Sequence, residues 1–148
     1  LKKGITGFGC YGGISEKEIR RFLSRFRRPF IPDFEGLIPP SVDSNFWRVP
    51  FINKEDNSEF DMIINSTHWN LALVTKKSTW MNHEYLEFPY GMYLQIRSVE
   101  GTELPMNPQI LNRRFDKEEL NELDQSELDQ MKYWKSRTIG DVIFNGFD

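Results

Sequence analysis

The chain has 148 residues, with 22 acidic and 19 basic side chains that give a net charge of −3 at neutral pH, and one cysteine. This length fits one domain with one core. Cys10, as the single cysteine, excludes an internal disulfide and a multi-cysteine metal site, which fits a reducing compartment such as the cytosol. No apolar stretch approaches the roughly 18 residues of a membrane helix, and the start lacks the apolar segment of a signal peptide, so we expect a soluble protein.

The first predicted helix begins at a capping box. In "SEKE" the Ser15 hydroxyl accepts a hydrogen bond from the Glu18 amide, and the Glu18 carboxylate accepts one from the Ser15 amide. Apolar side chains then recur at helical spacing, at Ile19, Phe22, Leu23 and Phe26. Pro29 disfavours helical geometry at the preceding residue, so we predict a helix of about 14 residues over 15–28 with its arginines facing outward.

A β region follows a proline-rich connection over residues 29–50, which is too rich in proline for a long helix. "FDMIIN" (60–65) and "WNLALVT" (69–75) are strand-like and close enough in sequence to form a hairpin. In the second of these strands Trp69, Leu71 and Leu73 share one face, which we predict to be core.

Two further strands are predicted around this hairpin. "FWRVPFI" (46–52) is expected to be an edge strand, because Pro50 has no amide hydrogen to donate to a central ladder. "GMYLQIRSV" (91–99) alternates apolar and polar residues, which is typical of a strand with one solvent-exposed side.

The C-terminal third is predicted to hold a second helix and a last strand. Asp116 is the expected cap of this helix, with Glu119 at the third helical position and a break near Ser126. "VIFNGF" (142–147) is predicted to add a strand to the sheet. Together these patterns predict a single α+β domain over residues 1–148, with an antiparallel sheet of about four to six strands packed against two main helices.

The charges are strongly segregated along the chain. Residues 1–31 hold eight lysines and arginines against two glutamates, and residues 116–131 hold seven acids against one lysine. Three interpretations remain open: the two helices face each other, each faces a different charged partner, or both present solvated faces.

Groups for enzyme chemistry are scarce. His68 and His83 are the only histidines, and Cys10 lies in "GFGCYGG", a turn-like segment without the lysine and serine of a phosphate loop. His68 is expected at the tip of the hairpin as a surface or packing residue and not as a base. We therefore predict a protein that is not an enzyme, with no cofactor and no metal; a hydrolase is the third-ranked alternative.

A binding protein requires no catalytic groups. The arginine-rich helix 15–28 would suit an RNA- or protein-binding adaptor, although most of the aromatic residues, 14% of the chain, fall at predicted core positions. Acid-rich surfaces with aromatic anchors would instead suit the clamping of a basic protein.

The ending "YWKSRTIGDVIFNGFD" (133–148) resembles the C-terminal segment of immunity proteins from bacterial contact-dependent growth inhibition and related polymorphic toxin systems. "EFPYGMYLQI" adds a weaker similarity, and Phe147 stands where we would expect tryptophan. The matching positions are Trp134, Ile139, Gly140, Asp141, Phe144, Asn145 and Asp148.

The resemblance implies a bacterial cytoplasmic protein that binds the toxin domain encoded beside it, as one half of a toxin–antitoxin pair. The toxin is commonly a nuclease such as an RNase or tRNase, and the bound protein blocks its active site or its access to substrate. No direct nucleic acid, membrane or small-molecule partner is expected.

We expect the ending itself to be architecture, a core strand closed by a turn at Asn145–Gly146. Toxin contacts are expected on acidic residues that mimic the phosphates a nuclease grips. The candidates are Asp33, Glu35, Asp43, Glu55, Asp56, Glu59, Glu118, Glu119 and Glu122.

Overall fold

The computed structural model describes residues 1–7, 13–79, 82–97 and 105–146. These residues form an α+β fold whose antiparallel sheet has the strand order β1-β2-β3-β4-β5. The strands are β1 (Phe30–Pro32), β2 (Phe46–Asn53), β3 (Ser58–Asn65), β4 (Leu71–Val74) and β5 (Tyr85–Leu86). The helices are α1 (Glu16–Leu23), α2 (Tyr90–Arg97), α3 (Pro108–Leu111), a 3-10 turn (Glu118–Leu120), α4 (Gln125–Tyr133) and α5 (Ile139–Ile143).

Some predicted features fall outside the described residues. Cys10 and most of "GFGCYGG" lie outside the described ranges, as do Phe147 and Asp148 at the end. None of the described helices has the length and apolarity needed to cross a membrane.

The first face of the sheet is covered by α1 and α2. Because side chains alternate along a strand, every second residue of β2, β3 and β4 points to this face. The strand side chains on this face pack with Ile19, Phe22 and Leu23 of α1 and with Met92 and Ile96 of α2. The strand residues in this first core are Phe30, Trp47, Val49, Phe51, Phe60, Met62, Ile64, Leu71 and Leu73.

The second face is covered by the C-terminal helices over only part of its area. The strand residues in this second core are Phe46, Ile63, Ala72 and Val74, and they pack against helix residues that include Leu111 and Val142. Both faces of β4 are therefore buried, whereas the sequence predicted one core face.

Three buried asparagines tie the second core together. The Nδ2 atoms of Asn45 and Asn65 both donate to the carbonyls of Ile5 and Ile143, at distances of 2.6–3.1 Å. The backbone amide of Asn145 donates to Asn45 Oδ1 at 2.8 Å. These bonds connect the N-terminal segment, the sheet and α5, which are far apart in sequence.

A buried carboxylate anchors the N-terminal segment on α4. Glu127 is fully buried, and its Oε1 accepts from the Gly4 amide at 3.0 Å and the Thr6 hydroxyl at 2.8 Å. Its Oε2 accepts from the amide of Asp124, which completes the capping box of α4. Because a buried charge must be fully hydrogen-bonded to be tolerated, these donors explain why a glutamate lies here.

Helix α1 begins as predicted and ends earlier. Its capping box between Ser15 and Glu18 is present, but the helix stops at Leu23 and not at Arg28. The amide of Phe26 bonds back to the Leu23 carbonyl, a tighter i to i−3 turn. This turn places the Phe26 ring against Phe51 of the sheet, with ring centroids 5.1 Å apart.

The segment predicted as a strand from 91 to 99 is the helix α2 over its described part, so that prediction was wrong. Met92 and Ile96 are buried, while Leu94 between them is 46% exposed. Met92 and Ile96 are four residues apart, which places them on one side of a helix. A segment in which every second residue is apolar also contains such pairs, so its pattern fits a helix as well as a strand.

The predicted second helix is divided into two elements. Asp116 and Glu119 make the reciprocal cap bonds that were expected, yet only a 3-10 turn follows. A new capping box at Asp124 then starts α4, close to the break predicted near Ser126.

The apolar ending is docked as predicted but is helical, so the predicted last strand was wrong. Thr138 and Asp141 form a capping box that starts α5. Val142, Ile143 and Phe144 are all buried. In a strand with one exposed face, neighbouring side chains point to opposite faces, so these three would not all be buried.

The prediction of an edge strand around Pro50 was also wrong, because β2 lies between β1 and β3. The Pro50 carbonyl accepts from the amide of Asp33 at 2.8 Å, just beyond the end of β1. The missing amide hydrogen of Pro50 is tolerated because β1 has already ended at this point.

Candidate binding surface

A concavity of about 210 Å³ lies on the part of the second face that the C-terminal helices leave uncovered. Alternation along β2 and β3 places Pro50, Ile52 and Glu59 on this face, and Ile31 of β1 adjoins them. Its lining residues are Ile31, Pro32, Asp33, Pro50, Phe51, Ile52, Glu59 and Lys76.

The loop after β1 places Asp33 at the rim of this concavity. The Asp33 backbone is held by its bond to the Pro50 carbonyl, and its Oδ1 accepts from the Glu35 amide at 3.1 Å. Gly36 lies directly against the proline ring, since a Cβ on Gly36 would be 2.7 Å from Pro50 Cγ. The position of the Asp33 carboxylate is therefore set by backbone packing as well as by its own turn.

An ion network lies beside the concavity. Asp61 is 5% exposed, and its two oxygens accept from Arg48 Nε at 2.6 Å and Lys76 Nζ at 2.5 Å. Arg48 also donates to the carbonyl of Ser78 at 2.9 Å. The buried carboxylate is thus paired on both sides, as a charge at such a site requires.

This network does not engage the two carboxylates at the rim. Lys76 lines the concavity but is engaged with Asp61. Among the residues that the structure describes, neither Asp33 nor Glu59 forms an ion pair. The concavity therefore combines an apolar floor with two carboxylates that remain available to a partner.

Glu55 and Asp56 lie in the turn between β2 and β3, a short distance along the chain from Glu59. The Asp56 carboxylate accepts from the Ser58 amide at 2.9 Å, and hydrogen bonding to Ser58 lowers the pKa of Asp56. These two acids lie beyond Glu59, past the last pair of the β2–β3 hairpin.

The remaining predicted toxin-binding residues lie elsewhere. Glu35 and Asp43 are exposed in the loop between β1 and β2, and Glu118 and Glu122 are exposed near the 3-10 turn. Glu119 bonds Arg113 and the Asp116 amide, and its pKa is lowered, chiefly by the hydrogen bond from Arg113. The structure therefore divides the predicted residues among separate surfaces.

Among the described residues that carry the C-terminal resemblance, Asp141 and Gly140 have structural roles. Asp141 Oδ2 accepts from the amides of Arg137 and Thr138. Gly140 leaves space for the Tyr85 hydroxyl, which a Cβ would approach to 2.4 Å. A second concavity of about 180 Å³ is lined here by Trp134, Lys135, Ser136, Asp141, Phe144, Asn145 and Gly146.

The two histidines are separated and engaged with backbone. His68 Nε2 lies 3.1 Å from the Lys3 carbonyl, and His83 Nε2 lies 3.1 Å from the Phe144 carbonyl. Burial lowers the pKa of His83 to about 4. Within the described part of the chain, no group of three or more His, Cys, Asp or Glu side chains could hold a metal ion.

Sequence reasoning missed Arg48, Asp61 and Lys76 as parts of this surface. Asp61 carried a signal, because a charged residue inside the apolar strand "FDMIIN" needs a partner. The partners themselves are 13 and 15 residues away along the chain and become neighbours only through strand pairing.

No family model matches this sequence, and no similar protein was found among the curated proteins or the solved structures.

Proposed function

We propose that the protein is an immunity protein that binds and neutralises a nuclease toxin domain of a contact-dependent inhibition system in the bacterial cytoplasm. Two features support this proposal: the C-terminal resemblance, and the concavity with its two available carboxylates. The concavity is the observation that carries it, because it offers a formed site for a basic side chain.

The chemistry of the concavity suits an arginine or lysine from a nuclease. The aliphatic part of such a side chain packs on Ile31, Pro50 and Ile52, while its charged end meets Asp33 and Glu59. A nuclease uses basic side chains to hold the phosphates of its substrate. An acidic surface that occupies those side chains blocks substrate binding.

Binding to the product of the adjacent upstream reading frame tests this function. The two proteins are co-purified and then titrated by calorimetry, and cells that express the upstream product are tested for protection. We expect a nanomolar complex, about −12 kcal/mol, together with rescue of growth. A correctly folded protein that forms no complex and gives no protection would contradict the proposal.

Neutral isosteres test the concavity itself. Asp33→Asn keeps an oxygen acceptor for the Glu35 amide, and Glu59→Gln keeps the shape of an exposed side chain. The double variant is expected to weaken toxin binding about 100-fold, since charges at the centre of an interface contribute strongly.

The matched control is the double variant Glu87→Gln and Asp129→Asn, at two exposed acids that are not among the predicted toxin contacts. It removes the same amount of charge from exposed positions outside the concavity. An equal loss of affinity in both double variants would mean that general acidity, and not the concavity, determines binding.

An RNA- or protein-binding adaptor is the second candidate. It is favoured by the exposure of Arg20, Arg21, Arg25, Arg27 and Arg28. These arginines belong to α1 and the segment that follows it, on the first face of the sheet, whereas the concavity opens on the second face.

A further inference from the structure

The segment that follows the C-terminal end of α1 carries positive charge that is not paired with any described carboxylate. At the other end of the helix Glu16 pairs with Arg20, and Glu18 bonds Ser15 in the capping box. Arg25, Arg27 and Arg28 are exposed and form no ion pair with a described carboxylate. The positive potential of this end is therefore directed to solvent.

Helix α2 is fixed alongside these arginines. The Arg27 amide donates to Gln95 Oε1 at 2.8 Å, and Gln95 Nε2 donates to the Arg27 carbonyl at 3.1 Å. At the start of α2, a Cβ on Gly91 would be 3.4 Å from the Phe30 ring. Residues 27–30 thus run beside α2, and Arg28 lies between the two contact points.

The outer side of α2 exposes two large side chains, Tyr90 and Leu94. Tyr90 is 77% exposed and Leu94 is 46% exposed, whereas Met92 and Ile96 face the first core. Tyr90 and Leu94 are one helical turn apart, about 6 Å along the axis. Tyr90 and Leu94 are therefore exposed on a helix whose Gly91 and Gln95 contact the segment that carries the arginines.

We propose that this surface, formed by Arg25, Arg28, Tyr90 and Leu94, binds a single-stranded nucleic acid. The arginines contact phosphates, and the Tyr90 ring stacks on a base with Leu94 beside it. The family resemblance implies no direct nucleic acid partner, and this proposal departs from that expectation. The net charge of −3 does not oppose it, because the sheet separates this basic surface from the acidic concavity. The proposal does not depend on the immunity function.

The experiment is fluorescence anisotropy of the full chain with a fluorescein-labelled oligouridylate of 12 residues at low salt. Tyr90→Ala is expected to weaken binding about tenfold, because one stacked base is lost. Tyr133→Ala is the matched control, since Tyr133 is 74% exposed on α4, and it is expected to leave affinity unchanged.

Salt dependence tests the arginines separately. Each phosphate contact contributes about 0.7 to the slope of log affinity against log salt for a single strand. Arg25→Gln with Arg28→Gln should therefore lower the slope by about 1.4. Lys132→Gln with Lys135→Gln, which removes two cations elsewhere, should leave the slope unchanged.

Three results would overturn the proposal. One is the absence of oligouridylate binding by a protein whose circular dichroism shows normal folding. Another is an equal loss of affinity in Tyr90→Ala and Tyr133→Ala. The third combines two observations: polyglutamate of equal charge displaces the oligonucleotide, and Tyr90→Ala has no effect on binding. Together they would identify the surface as a site for acidic proteins.

Discussion

The two faces of the sheet are stabilised in different ways. The first face packs against α1 and α2 through apolar side chains that recur at helical spacing, such as Ile19 of α1 and Ile96 of α2. The second face also has an apolar core, but its attachment to the rest of the chain uses buried polar groups such as Asn65 and Glu127. The concavity opens on the part of the second face that the C-terminal helices leave uncovered.

The difference shows how one sheet serves both packing and recognition. Burial of apolar surface has no direction, so the first face requires only side chains of suitable size and spacing. Hydrogen bonds are directional, and the asparagines and Glu127 hold the terminal segments at one end of the second face. The other end of that face stays free to expose Asp33 and Glu59.

Loss of a polar connection should have the largest effect. Asn65→Leu leaves the carbonyls of Ile5 and Ile143 without this donor, and it removes an acceptor from the amides of Thr67 and His68. We expect the free energy of unfolding to fall by about 4 kcal/mol. Urea denaturation measures it.

Asn121→Ala, at an exposed position, is the control for this variant. Its free energy of unfolding should stay within about 0.5 kcal/mol of that of the parent. A loss below about 1 kcal/mol for Asn65→Leu would mean that apolar packing, and not the polar connection, holds the second face.

Two glycine substitutions in helices compare the faces directly. In α5, Gly140→Ala places a Cβ 2.4 Å from the Tyr85 hydroxyl and 3.0 Å from the Leu111 carbonyl. We expect a loss of about 2 to 3 kcal/mol from overpacking. In α2, Gly91→Ala meets only ordinary contact with Phe30 and should stabilise the protein by about 0.5 to 1 kcal/mol.

Thermal denaturation of both alanine variants tests this prediction, and Tyr85→Phe provides a further check. Removal of the hydroxyl should restore part of the stability lost in Gly140→Ala. If the double variant shows no recovery, the Tyr85 contact is not the cause of the loss.

The buried His83 should make the stability of the second face depend on pH. Its pKa is lowered by burial from 6.5 to about 4, so the unfolded chain takes up a proton first as the pH falls. The stability contributed by neutral His83 is complete above pH 6.5 and is lost as the pH falls toward 4. Between pH 7.5 and 5 the loss should be about 2 kcal/mol.

Urea denaturation at both pH values measures this loss. His83→Phe should flatten the dependence between pH 7.5 and 5, whereas His68→Gln should retain it. Equal pH dependence in the parent and in His83→Phe would show that other groups are responsible.

The smallest effect on stability is expected in the concavity. Asp33→Asn and Glu59→Gln alter exposed side chains without an ion pair among the described residues, so each should change the free energy of unfolding by less than about 0.5 kcal/mol. Chemical denaturation provides the measurement. A loss above about 1 kcal/mol would mean that these carboxylates stabilise the fold and are poor probes of binding.

The sequence predicted the elements whose causes are local. The capping box at Ser15, the reciprocal bonds of Asp116 and Glu119, and the hairpin of β3 and β4 were confirmed. Each depends on residues close together in the chain, so their spacing is sufficient to identify them.

The sequence failed where one pattern is compatible with two structures. Residues 91–97 alternate like a strand yet contain the i and i+4 pair of a helix, and 142–144 are buried as a helix end and not as a strand. Tertiary packing decided both cases, because it determines which side chains find a partner. For the candidate site, the acids near Glu59 were predicted, but their neighbours Arg48 and Lys76 were not.

The sequence alone therefore determined the α+β class, the start of α1 and the segregation of charge along the chain. The tertiary structure decided which face of the sheet each charged segment occupies, which acids share a concavity, and which arginines lie on the segment that contacts α2. The physical reason is that spacing along the chain governs hydrogen bonds within a few residues, whereas strand pairing and helix docking bring together groups that are distant in sequence.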